Sequence, residues 1–427
     1  AYIDGATVES INGNIFIDAQ TAGEMIAIAA GGAFSGKVAV DGSVVIGLLN
    51  NEVLAFADDG AELNAAGSVG INAADTISAV LVAGVAGGAG SAAVGVSNST
   101  FVSHNEVFAY TGSNVIVKGK GKKAIVKTLG ADLVTPGSWK EIDQRGVFVN
   151  AVSNHEIRIF AVGGLGAGKV SVAASGTISV INDTVKAFIG ETSTVEASND
   201  DAEDDLSSNP LTVSVLAGGE TTIWGVAGAL SGAGTVGVGA GLDVAVLTKT
   251  VEAYINGKVI SEGDILVQAL AREELISVSA SIGGGGTVGV AGSVGTYTLN
   301  LNTFAWVGSK ADLLAQGSVL VSAYDATNAV LTAGSISGAG TVGVGASIEV
   351  SVNNKDVKAY IDQNAVVNAV GNGNGLVAFS GSYSETYVED NTPPNVDNNV
   401  QIERQTFDLS AVNSNEDTID LGSGHSY

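Results

Sequence analysis

Apolar residues recur at every second position along much of the chain. Val236, Val238, Ala240, Leu242, Val244 and Val246 hold one parity, and Thr235, Gly237, Gly239, Gly241 and Asp243 hold the other. A period of two predicts a β-strand whose apolar face turns toward a core. Glycine weakens a strand and loses much backbone freedom on folding, so an ordered glycine row predicts that another backbone comes close to it. A shorter strand follows in the pattern Gly-x-apolar-x-apolar, as in Gly13-Asn14-Ile15-Phe16-Ile17 and Gly263-Asp264-Ile265-Leu266-Val267. A third, such as Ile276–Ala280, leads into a glycine cluster at Gly283 to Gly286. Short β-branched segments divided by Gly, Asn and Asp predict an all-β chain.

The pattern is periodic on a larger scale. An Ala-aromatic pair ends at Tyr2, Phe56, Tyr110, Phe188, Tyr254, Trp306 and Tyr360, with steps of 54, 54, 78, 66, 52 and 54 residues. Six blocks of twenty residues ending in that pair align without gaps (37–56, 91–110, 169–188, 235–254, 287–306, 341–360), and their fourth place is always Val: Val40, Val94, Val172, Val238, Val290 and Val344. The chain therefore reads as about seven tandem units of roughly 54 residues over 1–390, starting near 1, 55, 109, 187, 253, 305 and 359. Insertions near 117–144 and 198–209 account for the two long steps, and 391–427 reads as a polar cap, linker or start of a further module.

A unit of this size cannot bury its own apolar face, so neighbours must stack. The expected fold is a β-solenoid, a parallel β-helix. If a coil takes roughly 18 to 27 residues, the chain makes about 16 to 24 coils and a rod roughly 75 to 115 Å long at about 4.8 Å per coil. The aromatic positions would lie in line along it, as packing more than as a sugar track. Asp at Val238 or Val344 would open the coil by burying an unpaired carboxylate. The alternative is a stack of antiparallel hairpins closed by the glycine turns, as in Val226 to Val246 around Ser231-Gly232-Ala233-Gly234.

Composition narrows the function. The chain has 427 residues, 59 Gly, no Cys, and 18 Lys+Arg against 44 Asp+Glu, for a net charge of −26. Thiol chemistry and disulfides are excluded, and nucleic acid is a poor electrostatic match. With His104, His155 and His425 as the whole histidine inventory, histidine-based catalysis has little to work with. No catalytic or cofactor-binding residues stand out, and the chain is read as non-catalytic. The insertions hold a basic run (Lys118, Lys120, Lys122, Lys123, Lys127), which offers a contact for an acidic surface or glycan, and an acidic run. Asp200, Asp201, Glu203, Asp204 and Asp205 in the latter are candidate calcium ligands, although they lack the spacing of a calcium loop. Ile77 to Val96 is uncharged and long enough to span a bilayer, but its glycine breaks predict two strands around a turn.

Gly-Thr-Val-Gly-Val-Gly-Ala-Ser-Ile-Glu-Val-Ser-Val (340–352) and Val-x-Ala-Tyr-Ile-(Asp/Asn) at 357–362 and 251–256 resemble the repeats of very large bacterial filamentous adhesins and leukotoxins. Asn415 to His425 is similar to a segment recurring between such arrays. These proteins resemble filamentous haemagglutinin in using two-partner secretion. The resemblance implies a bacterial protein, secreted or at the cell surface, with an outer-membrane secretion partner. It also implies a structural or adhesive rod or fibre segment that meets a host or bacterial surface or glycan, or associates with itself, in adhesion, aggregation or a matrix. The alternatives are a membrane-active leukotoxin-like protein and a β-helical polysaccharide-degrading enzyme.

Overall fold

The computed structural model describes residues 1–122, 125–132, 134–199 and 211–371, with the strand Leu376–Val388 as backbone. The chain is a succession of three parallel sheets wound as one β-solenoid. A front sheet stacks Tyr2–Asp4, Val38–Asp58, Ala92–Thr111, Val170–Ile189, Val236–Ile255, Val288–Val307 and Val342–Ile361. A back sheet stacks Ile15–Ser35, Val69–Ala89, Trp139–Ala167, Leu211–Ala233, Ile265–Gly285, Val319–Ala339 and Leu376–Val388. A narrow edge sheet of four-residue strands, from Thr7–Ser10 to Val366–Ala369, closes one side of each coil. On the other side, back strands pass directly into front strands through tight tips such as Gly90-Ser91.

Every ladder in the three sheets is parallel and joins equivalent places of adjacent units: Tyr2 pairs with Phe56, Tyr110 with Phe188, Val238 with Val290. The hairpin alternative fails at its own example. Val226 and Val246 lie in different sheets and pair with Phe160 and Val180 of the neighbouring rung. The antiparallel pairing among the described residues is the insertion hairpin, Val126–Ala131 against the start of Trp139–Ala167.

Two expectations are corrected. One coil is a whole repeat unit, not 18 to 27 residues, because partners such as Asn14 and Ser68 are 54 residues apart. Strands of 20 residues make the coil about 66 Å wide, while seven rungs rise only about 29 Å, so this segment is a broad slab and not a long rod. The two strands expected behind each aromatic are one: Ile265–Gly285 runs unbroken through Gln268, Arg272, Glu273 and Glu274. Those polar residues resemble a turn in sequence because both faces of the strand are polar there, one toward solvent and one toward a buried polar column.

The second correction is parity. In the strand Val236–Ile255 the glycines and Asp243 point inward and Val236, Val238, Val244 and Val246 outward. Val40 is 71 % exposed and Val344 51 %, so Asp at Val344 meets solvent and does not open the coil. The glycine row does what its presence implied: a Cβ on Gly237 or Gly239 would overlap the carbonyl oxygens of Gly284 and Ile282 across the coil, and one on Gly241 would lie 2.8 Å from that of Ala280. Front and back sheets touch backbone to backbone near the tips. Toward the edge sheet they diverge around Val, Ile, Leu and Ala side chains, including Leu63, Ile71, Val149, Ile189, Val267 and Leu313. A smaller apolar cluster with Leu81, Phe101, Ile159 and Tyr297 lies midway.

Turns repeat as the strands do. Gly5, Asp59, Asn114 and Asn364 follow the first three front strands and the last with positive φ (59°, 51°, 56°, 70°), a conformation that Gly, Asn and Asp adopt most readily. Asn14 Oδ1 accepts from Ser68 N (2.8 Å), and Asp264 Oδ1 from Ser318 N (2.7 Å), at the entry to back strands. Ile77 to Val96 is part of two strands joined at Gly90-Ser91, and no helix among the described residues is long and apolar enough to cross a membrane. The acidic run at Asp200 to Asp205, Lys123, His425 and the segment 391–427 lie outside the described residues.

Candidate functional site

The solenoid brings together four sets of side chains, and the seven aromatics form the most regular. Tyr2, Phe56, Tyr110, Phe188, Tyr254, Trp306 and Tyr360 stack on the outer front face with centroids 4.3 to 6.0 Å apart and planes within 13°. Each inner ring is covered on both faces by its neighbours, so the open face that a stacked sugar needs is used up by packing. Burial, reinforced by Glu252, pushes the Tyr254 phenol up to about 12. Burial and Asp58 raise Tyr110. Both phenols stay neutral hydrogen-bonding groups. Replacing Tyr254 by Ala removes two stacked contacts and is expected to cost about 1–3 kcal/mol, read as a lower urea midpoint with an unchanged m-value.

Inside the coil, between the two apolar clusters, runs a buried polar column. Asn51 Nδ2 donates to Asp75 Oδ1 (3.3 Å), and Asp75 Oδ2 lies 2.9 Å from His155 Nε2. Ser153 Oγ is 3.1 Å from the same nitrogen and donates to Asp183 Oδ2 (3.1 Å), which also receives Asn105 Nδ2 at Oδ1 (2.8 Å). Further along, Lys249 Nζ donates to Glu273 Oε1 (2.9 Å) and to the carbonyls of Gly219 and Arg272. Thr327 Oγ1 donates to Glu273 Oε2 (2.7 Å), and Asp325 accepts from Lys355 Nζ (2.6 Å) and Thr303 Oγ1 (3.2 Å). Burial raises the Glu273 carboxyl to about 7 against the pull of Lys249, with Asp325 adding to the rise.

Ser153, His155 and Asp75 have the composition of a hydrolytic triad but not its geometry. Serine and aspartate both meet Nε2, Nδ1 has no hydrogen-bond partner, and all three are sealed from solvent. A triad needs the base nitrogen and the orienting nitrogen to be different atoms, with the nucleophile reachable by substrate. The column instead lets most of these polar groups share the interior by satisfying one another, with His155 Nδ1 and Asn105 Oδ1 left over.

A second buried group surrounds Asp243, which accepts from Thr177, Ser277 and the Tyr297 hydroxyl (3.0 Å). Burial raises its carboxyl despite those donors. Glu349 lies two rungs on in the same column, and the intervening Gly295 leaves room for its carboxylate. Burial, then Asp243, lift Glu349 to about 7.

The insertion hairpin makes a cleft in which polar and aromatic groups converge. It folds over the outer back face, seating the Trp139 indole on Gly218, where a Cβ would lie 2.5 Å from the ring. A cavity of about 460 Å³ opens beneath it, lined by Asp18, Asn72, Asn150, Lys127, Trp139 and Glu141. Asn72 donates to Asp18 (2.6 Å), Asn150 donates to Asn72 (2.9 Å), and Lys127 pairs with Glu141 (3.2 Å). Lys118, Lys120 and Lys122 line a separate groove of about 710 Å³ beside Glu9, Asn64 and Glu196, so the basic run is split and partly neutralised.

Among the described residues no three His, Cys, Asp or Glu side chains converge as a metal site. His104 lies on the front face, where its Nδ1 accepts from Asn182 Nδ2 (3.1 Å) and its Nε2 is 3.6 Å from Glu106. The sequence reading missed the interior column, although the aligned blocks carry its signal: their fifteenth place is Asn51, Asn105, Asp183, Lys249, Leu301 and Lys355, polar in all but one. No family model matches the chain, and neither a curated protein nor a solved structure is similar to it.

Proposed function

We propose that the chain is a structural and adhesive segment of a secreted bacterial surface protein, a stretch of fibre with no catalytic role. The observation that carries this reading is the unbroken register of seven rungs, which repeats an aromatic column and a valine column from unit to unit. Such a surface offers the same groups many times over, as support or multivalent attachment requires, where an enzyme concentrates unlike groups once. The interior carries the charges that could do acid–base chemistry, and Asp75, His155, Glu273 and Asp325 are all closed off from solvent. The likeness of its repeats to filamentous adhesins supports the same reading and adds a secretion partner and a host, bacterial or glycan surface as the target. The cleft under the hairpin is then the natural place for an adhesive contact, since insertions in repeat proteins lie on one face and often bind.

Electron microscopy of the parent protein released from its source tests this. Fibres broader than a narrow β-helix, about 66 Å across the coil, are expected; compact globules would overturn the reading. Loss of viscosity when the purified chain is mixed with an acidic polysaccharide would favour the enzyme instead, and liposome leakage the toxin.

A further inference from the structure

The tip-side half of the slab has its polarity reversed. Its interior is built of small residues, with Ser97 and Ser175 buried in register with Gly241, while Val40, Ile46 and Leu48 point outward at 71, 62 and 69 % exposure. On the front sheet, the outward columns that start at Val38, Val40, Gly42, Val44, Ile46 and Leu48 continue in register to Val342, Val344, Ala346, Ile348, Val350 and Val352. These six columns carry no charged residue in any rung, and their few polar members are Asn98, Thr100, Thr296 and Thr298. The charge of −26 lies elsewhere; the nearest acids on this face, Glu52, Glu106 and Asp356, stand beyond the column that runs from Asn50 through His104 to Asn354.

We propose that this front face pairs with the same face of a second copy of the chain. Six columns along the strands and six rungs across them measure about 33 by 24 Å, or roughly 800 Å². A standard stable interface needs about 800 Å² from each partner, and a monomer rarely exposes more than a few hundred apolar Å² in one patch. β-Branched columns at uniform spacing can interdigitate with an identical set when two sheets lie about 10 Å apart. A two-fold axis makes the contact closed and self-complementary. Lipid is the poorer occupant, because a blade entering a bilayer submerges both faces, and the back face bears Arg158 at the same depth, 46 % exposed and paired with Glu156. The like charge of two copies opposes pairing, so added salt strengthens it.

The inference rests on the reading of the chain as a structural segment, yet a monomeric slab would leave that reading standing. The test is sedimentation velocity of the 427-residue chain at about 0.1 M and about 1 M sodium chloride. A dimer of 42.3 kDa chains is expected, with the larger dimer fraction at high salt. Val172→Lys with Val238→Lys should leave a monomer with an unchanged circular dichroism spectrum, and Trp224→Lys on the back face should still pair. Because the chain has no cysteine, Val238→Cys treated with a short bis-maleimide supplies a second readout that leaves the fold intact: cross-linked dimers are expected from Val238→Cys and none from Trp224→Cys. A wild-type monomer at both salt concentrations, or cross-linking through Trp224→Cys alone, overturns the proposal. So does a monomer that floats with phosphatidylcholine vesicles, which would assign the face to lipid.

Discussion

Replacing Lys249 by Met is expected to destabilise the slab by about 3–5 kcal/mol near pH 8, because it strands the Glu273 carboxylate in the interior. The ammonium and carboxylate are 2.9 Å apart and essentially without solvent contact. Two carbonyls and Thr327 complete their shells, so removing one partner leaves the other charge in the interior. Glu273→Gln removes the charge and keeps an acceptor for Lys249, and should cost less. The pH dependence has a definite sign. Burial raises Glu273 to about 7 in the folded chain against an ordinary 4.5. Its contribution to stability is therefore fully present below 4.5 and is lost as pH rises through 7. Asp243 and Glu349, also raised by burial, act in the same direction. Denaturant melts should show the wild type more stable near pH 5 than near pH 8, and the deficit of Lys249→Met should shrink toward pH 5, where Glu273 is protonated in both proteins. A deficit that does not change with pH would mean that Glu273 is not the group left unpaired.

Gly239→Val is the second large effect. Gly239 faces the backbone of Ile282 at van der Waals closeness, and added atoms have nowhere to go unless the front and back sheets separate. Equivalent rungs bear Gly95, Ala173, Ala291 and Gly345 at this place, and a larger residue, Asp41, only in the first full-length strand, so the separation would propagate along the stack. Overpacking of this kind costs about 3 kcal/mol. Val238→Thr, one residue away but pointing to solvent, should stay within about 0.5 kcal/mol of wild type. Urea midpoints of the two variants settle which parity faces inward: if Val238→Thr were the more damaging, the assignment of the glycine row to the interior would be wrong.

That parity marks the limit of what could be read from residues alone. The period of two, the tandem units, the aligned aromatics and the close backbone approach at glycine were all legible, because each is a local or periodic property. Which face turned inward was not. The usual rule places valine inside, and it fails at Val40 and Val344 because the tip end of the coil is so thin that most of its inward places hold Gly, Ala or Ser. Coil size was hidden for a related reason. Glu273 and Arg272 look like a turn between strands, but one points into the polar column and the other to solvent, and the backbone runs straight through. The column itself was legible only by aligning the fifteenth place of each block, since within any one strand Asp183 or Lys249 is a single polar residue amid apolar ones.

The central claim is that one turn of the solenoid consumes one whole repeat unit. His104 and Asn354 are outward members of the same front-sheet column, separated by Asn182, Thr248 and Asn300. Four rung steps place them about 19 Å apart, whereas coils of 18 to 27 residues would put them roughly 45 to 65 Å apart. With no native cysteine to compete, nitroxides on His104→Cys and Asn354→Cys report that separation by pulsed dipolar spectroscopy. A distance near 20 Å, allowing for the label arms, is the expected result; one beyond about 40 Å would contradict the fold on which every other inference here depends.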